Sequence, residues 1–301
     1  MFFQVNMVQI LFILFLLIVG YLLRFAKFPE DFGKSLNLFV IYISFPATIL
    51  LQVPHITFDN SLWIAVITPW SVLALSVLLV FLFFRHQPRN TLAALLLLVP
   101  LGNTSFFGFP MLEAVVGKEA IQYAIVYDQL GSFLMLSTYG AFVVGYFSGE
   151  KINVPSIGKK IVLFPPFIAL VFASIVGPMP QITIPYIELL SHTLVPLALI
   201  SVGFSMQLRL GDDKAIFAKT LFLKLVLIPL IAIGVFALLS IHNMTATVTL
   251  LEASMPPMIT AGALAIHAGF APRLSAALVG YGIVVSLITI PLLYQLILFI
   301  S

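Results

Sequence analysis

The chain has 301 residues, of which 61% are Ala, Val, Ile, Leu, Met, Phe, Trp, Tyr or Cys, and its mean hydropathy is +1.17. Charged residues make up 8%, against about 25% in soluble domains. A water-soluble globule is excluded because too few charges remain to cover its surface, and disorder needs the opposite composition. A net charge of +3 spread along the chain is no nucleic-acid footprint. With no Cys there is no disulfide, thiolate metal site or Cys nucleophile. What remains is an all-α polytopic membrane protein in a lipid bilayer.

A span needs about 20 mostly apolar residues to cross a hydrocarbon core about 30 Å thick. Cutting the chain at charges, Pro/Gly clusters and polar loops predicts ten spans. They cover residues 5–24, 35–53, 61–84, 91–117, 119–147, 160–177, 184–206, 215–240, 244–268 and 273–299. The longest polar linker, residues 148–160, divides the chain into a five-helix unit at 1–147 and a second at 161–301. The first apolar stretch lacks the basic start and small-residue cleavage site of a signal peptide.

Lys and Arg mark cytoplasmic loops. The odd-numbered loops carry Arg24, Lys27, Lys34, Arg85, Arg89, Lys151, Lys159, Lys160, Arg209, Lys214, Lys219 and Arg273, while the even-numbered loops and both tails carry only Lys118. Both termini are therefore expected on the non-cytoplasmic side. Five spans per half give the halves opposite orientations, the arithmetic of an inverted repeat. Ser44-Phe45-Pro46-Ala47 on span 2 has a counterpart in Leu194-Val195-Pro196-Leu197 on span 7, 150 positions later. Gly117 and Gly269 close spans 4 and 9 at nearly the same offset.

Two spans carry helix breakers at mid-depth. Span 4 contains Pro100, Gly102, Asn103, Thr104, Gly108 and Pro110, and span 9 contains Ser254, Met255, Pro256 and Pro257. Pro removes a donor and clashes with the preceding turn. Asn and Ser are good caps for a new half-helix, and Pro257 suits its first position. One reading is two kinked but continuous helices. The other is two unwound centres, the best sequence pointer to a transporter binding site. Half-helix N-termini there would carry partial positive charge and suit an anion.

These stretches resemble the auxin efflux carrier family, which includes bacterial organic-acid permeases and the plant PIN auxin carriers. Gly102-Asn103-Thr104 with Gly108-Phe109-Pro110 resembles that family's span-4 crossover, and Ser254-Met255-Pro256 its span-9 crossover. Pro196-Leu197-Ala198-Leu199 with Val202-Gly203 resembles span 7, and Lys224-Leu225 with Pro229-Leu230 resembles span 8. Ser286-Leu287-Ile288-Thr289-Ile290-Pro291 resembles the end of span 10. The resemblance implies two inverted five-helix repeats with broken, crossing helices 4 and 9, a sodium/proton antiporter-like fold. It also implies a mobile transport domain, elevator-type movement and a homodimer formed through the scaffold. This chain departs from the family at Tyr127-Asp128-Gln129-Leu130-Gly131-Ser132 on span 5 and at Gly280-Tyr281-Gly282 on span 10.

Ionisable groups inside spans are functional hypotheses by default. Asp128 on span 5 and Glu252 on span 9 are candidates for proton or cation coupling, with Gln129 on a neighbouring face. The alternative for each is a hydrogen-bonded structural role. The substrate-lining candidates are Pro100, Gly102, Asn103, Thr104, Ser254, Met255, Pro256 and Pro257, with Tyr127 and, by family analogy, Ser44 and Thr48. Ser44 and Thr48 equally suit satisfying the carbonyl freed by Pro46. If the membrane-embedded part of span 8 begins near Lys219, Lys224 is one turn deep and is expected to snorkel to the cytoplasmic surface; the alternative is a pairing with Glu252 of span 9. Glu113 and Glu188 read as solvated end residues, and His192 as a hydrogen-bonded structural residue.

No intramembrane protease motif occurs, so no enzyme, catalytic residue, metal site or cofactor is expected, and nothing resembles a channel filter. The reading is a secondary carrier of small organic anions such as carboxylates or auxin-like acids. Possible coupling to a proton or sodium is left open, as is the alternative of a sodium-coupled bile-acid-type symporter or cation/proton antiporter. The location expected from compactness is a bacterial inner membrane.

Overall fold

Long apolar runs with polar ends become helices because only a helix satisfies its own backbone in lipid. The computed structural model describes residues 7–56, 61–149, 153–211 and 214–300. Among these residues the regular structure is helical, with one isolated bridge and no strand. In chain order the elements are α1 (Met7–Leu23), α2 (Phe32–His55), α3 (Leu62–Phe84), α4 (Arg89–Leu98), α5 (residues 104–115), α6 (Lys118–Ser148) and α7 (Val154–Val162). They continue as α8 (Pro165–Val176), α9 (Ile184–Ser205), α10 (Lys214–Leu238), α11 (Met244–Ala253), α12 (Ile259–His267) and α13 (Pro272–Ile300).

Six helices, α2, α3, α6, α9, α10 and α13, are long and apolar enough to cross a membrane, and the α7/α8 pair, bent by 55°, makes a seventh if taken as one span. The first apolar stretch is a 17-residue helix. The fourth and ninth expected spans are each divided, into α4 with α5 and α11 with α12. Part of the expected linker is not extended: α7 is a helix capped by the Asn153 side chain, which accepts from Ser156 N at 3.0 Å. Lys151 in that linker lies outside the described residues. Bulky apolar side chains such as Leu78, Leu82 and Phe83 on α3 and Ile288, Leu292 and Phe299 on α13 are exposed, as suits helices solvated by lipid.

Three prolines leave the same local signature. Val40–Ser44, Thr104–Gly108 and Leu223–Leu227 are π-helical, and Pro46, Pro110 and Pro229 each follow two residues later. Each Pro lacks its N–H and crowds the carbonyl four residues back. Widening the preceding turn to i→i+5 hydrogen bonds relieves that clash while keeping the helix. Pro69 and Pro291 sit inside continuous helices without such a segment.

Two groups of helices emerge. In the first, α1 packs along the second half of α9, and α2 packs on α8 and α9. A Cβ on Gly20 would lie 2.1 Å from the Ile200 carbonyl oxygen, and one on Gly203 would lie 2.2 Å from that of Leu17. Two glycines thus place α1 and α9 backbone to backbone, the close approach that drives helix association in lipid. The second group joins α3 with α6 and α11, and α13 with α4 and α12. Each half of the chain contributes to both groups.

Gly20→Val or Gly203→Val is expected to force α1 and α9 apart at a cost of about 3 kcal/mol, read as a lower unfolding temperature in detergent. Gly234→Ala, where a Cβ meets nothing within 4 Å, is expected to be neutral or mildly stabilising.

Candidate functional site

The two divided spans meet at their breaks. α4 ends at Leu98 and α11 at Ala253, and the chain between each pair of half-helices runs extended for a few residues. Gly102 and Pro257 form an antiparallel bridge. Asn103 N–H donates to the Pro256 carbonyl at 2.8 Å, and Met258 N–H donates to the Leu101 carbonyl at 2.9 Å. Backbone groups freed by one break are therefore satisfied by the other. Continuous kinked helices are not what the chain forms.

Both second half-helices start at this bridge, so the N-termini of α5 and α12 converge there. Their unpaired N–H groups carry partial positive charge. Asn103 takes the N-cap position of α5, but its side chain makes no capping hydrogen bond. In span 9 the cap is Met258 rather than Ser254, and Pro257 precedes the cap instead of occupying the first helical position. Ser254 ends α11, where its hydroxyl donates back to the Leu250 carbonyl at 2.7 Å. The extra peptide units follow from Pro256 and Pro257 standing side by side: the residue before a proline is pushed to extended backbone, which delays the new helix.

Two glycines of α13 allow close backbone approach, one of them at the bridge. A Cβ on Gly282 would lie 2.7 Å from Pro257 Cδ, and one on Gly280 would lie 2.6 Å from the Gln207 carbonyl oxygen. Within Gly280-Tyr281-Gly282, Gly282 lets α13 back directly onto the span-9 break, while Gly280 lets it pass close to the chain that follows α9.

Asp128 comes to the crossing from α6. Its two oxygens accept from Thr104 Oγ1 at 2.5 Å and from Gln129 Nε2 at 2.7 Å. It is a clamp on the first residue of α5, and it is 3% exposed. Tyr127 and Gln129 are buried beside it. Glu252 comes from the last turn of α11, is 1% exposed, and neither of its oxygens accepts a hydrogen bond from a described group. A Cβ on Gly108 would lie 2.8 Å from Glu252 Oε2, so Glu252 reaches the start of α5 only because position 108 has no side chain. Pro100, Gly102, Asn103, Thr104, Met255, Pro256 and Pro257 are all buried at the crossing.

Ser44 and Thr48 are drawn elsewhere. Ser44 Oγ pairs with Thr193 Oγ1 at 2.6 Å and Thr48 Oγ1 with Ser191 Oγ at 2.8 Å, which fastens α2 to α9. Thr48 also donates to the Ser44 carbonyl at 3.0 Å, satisfying a carbonyl near Pro46.

The sequence reading placed Lys224 wrongly. α10 begins at Lys214, so Lys224 lies ten residues in, about 15 Å along the helix. It is 1% exposed and does not snorkel. Its Nζ stands 3.5 Å from the position a Cβ on Gly102 would take. The unbroken apolar residues on both sides, Leu221 to Leu223 and Leu225 to Ile228, are the signal that identifies it as deep. Thr249, one turn before Glu252 and 0% exposed, was also passed over.

A cavity of about 850 Å³ opens between the two helix groups. It is lined by Thr48 and His55 of α2, Pro110 and Glu113 of α5, Lys118, and Glu188 and His192 of α9, among others. His192 is exposed to it rather than tucked into a structural hydrogen bond. The lining reaches Phe109 and Pro110 on α5 but not Asn103 or Ser254.

Thr104→Val removes one of the two donors to the Asp128 carboxyl and leaves that oxygen buried. The expected loss is about 2 kcal/mol, measured as a lower unfolding temperature than that of Thr138→Val on the exposed face of α6.

The chain matches the membrane transport protein family over residues 5–156 and 153–294. It is 27% identical over 297 residues to an uncharacterized transporter of Methanothermobacter thermautotrophicus, covering 94% of this chain and 95% of the relative. It is 28% identical over 272 residues to an uncharacterized transporter of Methanocaldococcus jannaschii, covering 84% and 86%. The five motifs in order and a match running nearly end to end agree: the chain is a membrane transporter of the auxin efflux carrier family.

Proposed function

We propose that this transporter is a secondary carrier of small organic anions, carboxylates or auxin-like acids, working by elevator-type alternating access. The observation that carries the reading is the convergence of two half-helix N-termini on the bridge between Gly102 and Pro257. Such termini favour negative charge without a dedicated cation. Asn103, Thr104, Met255 and Pro256 frame the anion's position, with Tyr127 beside them.

In this reading α4 with α5 and α11 with α12 each count as one span, which gives ten spans and two inverted repeats of five. The helix group built on α1, α2, α8 and α9 serves as the scaffold and dimer-forming part, and the group around the crossing moves against it. The cavity between the groups, with α5 on one wall and α9 on the other, supports a boundary along which they shift. Both termini face away from the cytoplasm, and the membrane is the plasma membrane.

A second reading, coupling to a proton or sodium, is favoured by Glu252. Its unpartnered buried oxygens need a positive companion, because an isolated buried carboxylate is costly. Asp128 and Gln129 already engage each other and Thr104, so Glu252 is the better coupling group.

Asn103→Ala is expected to reduce uptake of organic acids into proteoliposomes to background while leaving folding and membrane insertion intact; normal uptake by that variant would remove the crossing from the binding site. The absence of native Cys makes topology directly measurable. Lys118→Cys in intact cells should react with a membrane-impermeant thiol reagent, and Arg209→Cys should react only after the cells are opened. The reverse pattern would invert the assigned orientation.

A further inference from the structure

α7 receives little support from the rest of the protein. It spans nine residues, Val154–Val162, and none of them is buried. Isolated helices shorter than about 12 residues are marginal in water. The Asn153 cap satisfies one end but supplies no packed face. At about 100° per residue, Val154, Ile157, Ile161 and Val162 fall within about 140° of arc, and Ser156, Lys159 and Lys160 occupy about 100° on the other side. Ile157 and Ile161 are half-buried, and the helix touches residues 136–140 of α6. Val154 is 70% exposed, Val162 64% and the following Leu163 57%. An uncovered apolar stripe therefore runs between the packed ridge and two exposed lysines. Between Asn153 and Phe164 no acidic residue occurs.

The depth of this stripe follows from the next helix. Pro165 pushes Phe164 to extended backbone, and the Phe164 ring stacks on Phe133 of α6 at 4.0 Å. The corner is thereby fixed, and α7 leaves α8 at 55°. α8 has 12 residues, about 18 Å of helix, short of a hydrocarbon core about 30 Å thick. For α8 to cross, residues 161–164, all apolar, must lie in hydrocarbon as well. Lys159 and Lys160 then stand at its edge, where the headgroups begin.

We infer that α7 is an interfacial helix that docks on anionic phospholipid of the cytoplasmic leaflet, with Val154 and Val162 in the acyl boundary and Lys159 and Lys160 on the phosphate headgroups. A basic polar face beside an apolar one is what holds a helix in that layer, and anionic lipid attracts each lysine near the surface. The inference rests on the ten-span topology and orientation proposed above. α7 joins α6 of one helix group to α8 of the other, so the lipid holds the connection between them.

The test uses the full-length chain, which has no native Cys, with an environment-sensitive fluorophore on Val162→Cys or Ser156→Cys. The protein is reconstituted in mixed phosphatidylcholine and phosphatidylglycerol vesicles. The probe at 162 is expected to be blue-shifted and quenched by brominated lipid, and the probe at 156 to report water. Bromine carried on phosphatidylglycerol should quench the probe at 162 at least about twofold more than the same fraction carried on phosphatidylcholine. Adding Lys159→Gln and Lys160→Gln, both at exposed positions, should leave the unfolding temperature unchanged and abolish that preference. An aqueous spectrum at 162 overturns the inference. Equal quenching by the two lipids, or a preference that survives loss of both lysines, overturns it as well. A probe at 162 equally shielded in detergent, with a disulfide forming between Val162→Cys copies, makes a second copy the occupant and overturns it too. A reversed labelling pattern at Lys118→Cys and Arg209→Cys overturns the leaflet but not the lipid contact, so the topology and the docking fail separately.

Discussion

The rest of the structure depends on two backbone hydrogen bonds, Asn103 N–H to the Pro256 carbonyl and Met258 N–H to the Leu101 carbonyl. In hydrocarbon an unsatisfied peptide group costs several kcal/mol. One broken helix could not sit at that depth alone. Two broken helices can, because each supplies what the other lacks. Once the bridge exists, α5 and α12 must begin there, and their positive ends must face one another. Gly282 is a consequence as well, since α13 has to approach the span-9 break without a side chain in the way.

Several polar side chains at the centre share a backbone feature. Thr104, Asp128, Gln129 and Lys224 lie on π-helical segments, as does Ser44 at the α2–α9 contact. Three of these segments exist because a proline follows. A widened turn adds one residue to the turn and so shifts the register of the helix face that follows. Proline placement therefore contributes to which polar groups meet. Asp128 then clamps α5 through Thr104, while Asn103 Nδ2 and both Glu252 oxygens make no hydrogen bond among the described residues. A site that is fully satisfied is a structural site. This one is satisfied on one side and open on the other.

The packing of the two helix groups differs in kind. Between α1 and α9 the contact is backbone against backbone through Gly20 and Gly203, which leaves no freedom to slide. Between the groups there is a cavity of about 850 Å³ with ionisable residues in its walls.

Composition alone established the membrane class, because 8% charged residues cannot cover a soluble surface. Local chemistry established where the helices break, since Pro100, Gly102, Pro256 and Pro257 disrupt a helix whatever surrounds them. Ordered motifs identified the family. The sequence could not assign the partner of each buried group. Ser44 and Thr48 read equally well as site residues, yet they fasten α2 to α9, because hydroxyls pair with whatever helix packs against them. Lys224 read as a surface residue on the premise that the membrane-embedded part of span 8 begins near Lys219, one turn away, yet it is 1% exposed inside the helix packing. Helix breaks are a property of neighbouring residues in the chain. Depth, register and pairing are properties of which helices meet, and only the tertiary structure decided them.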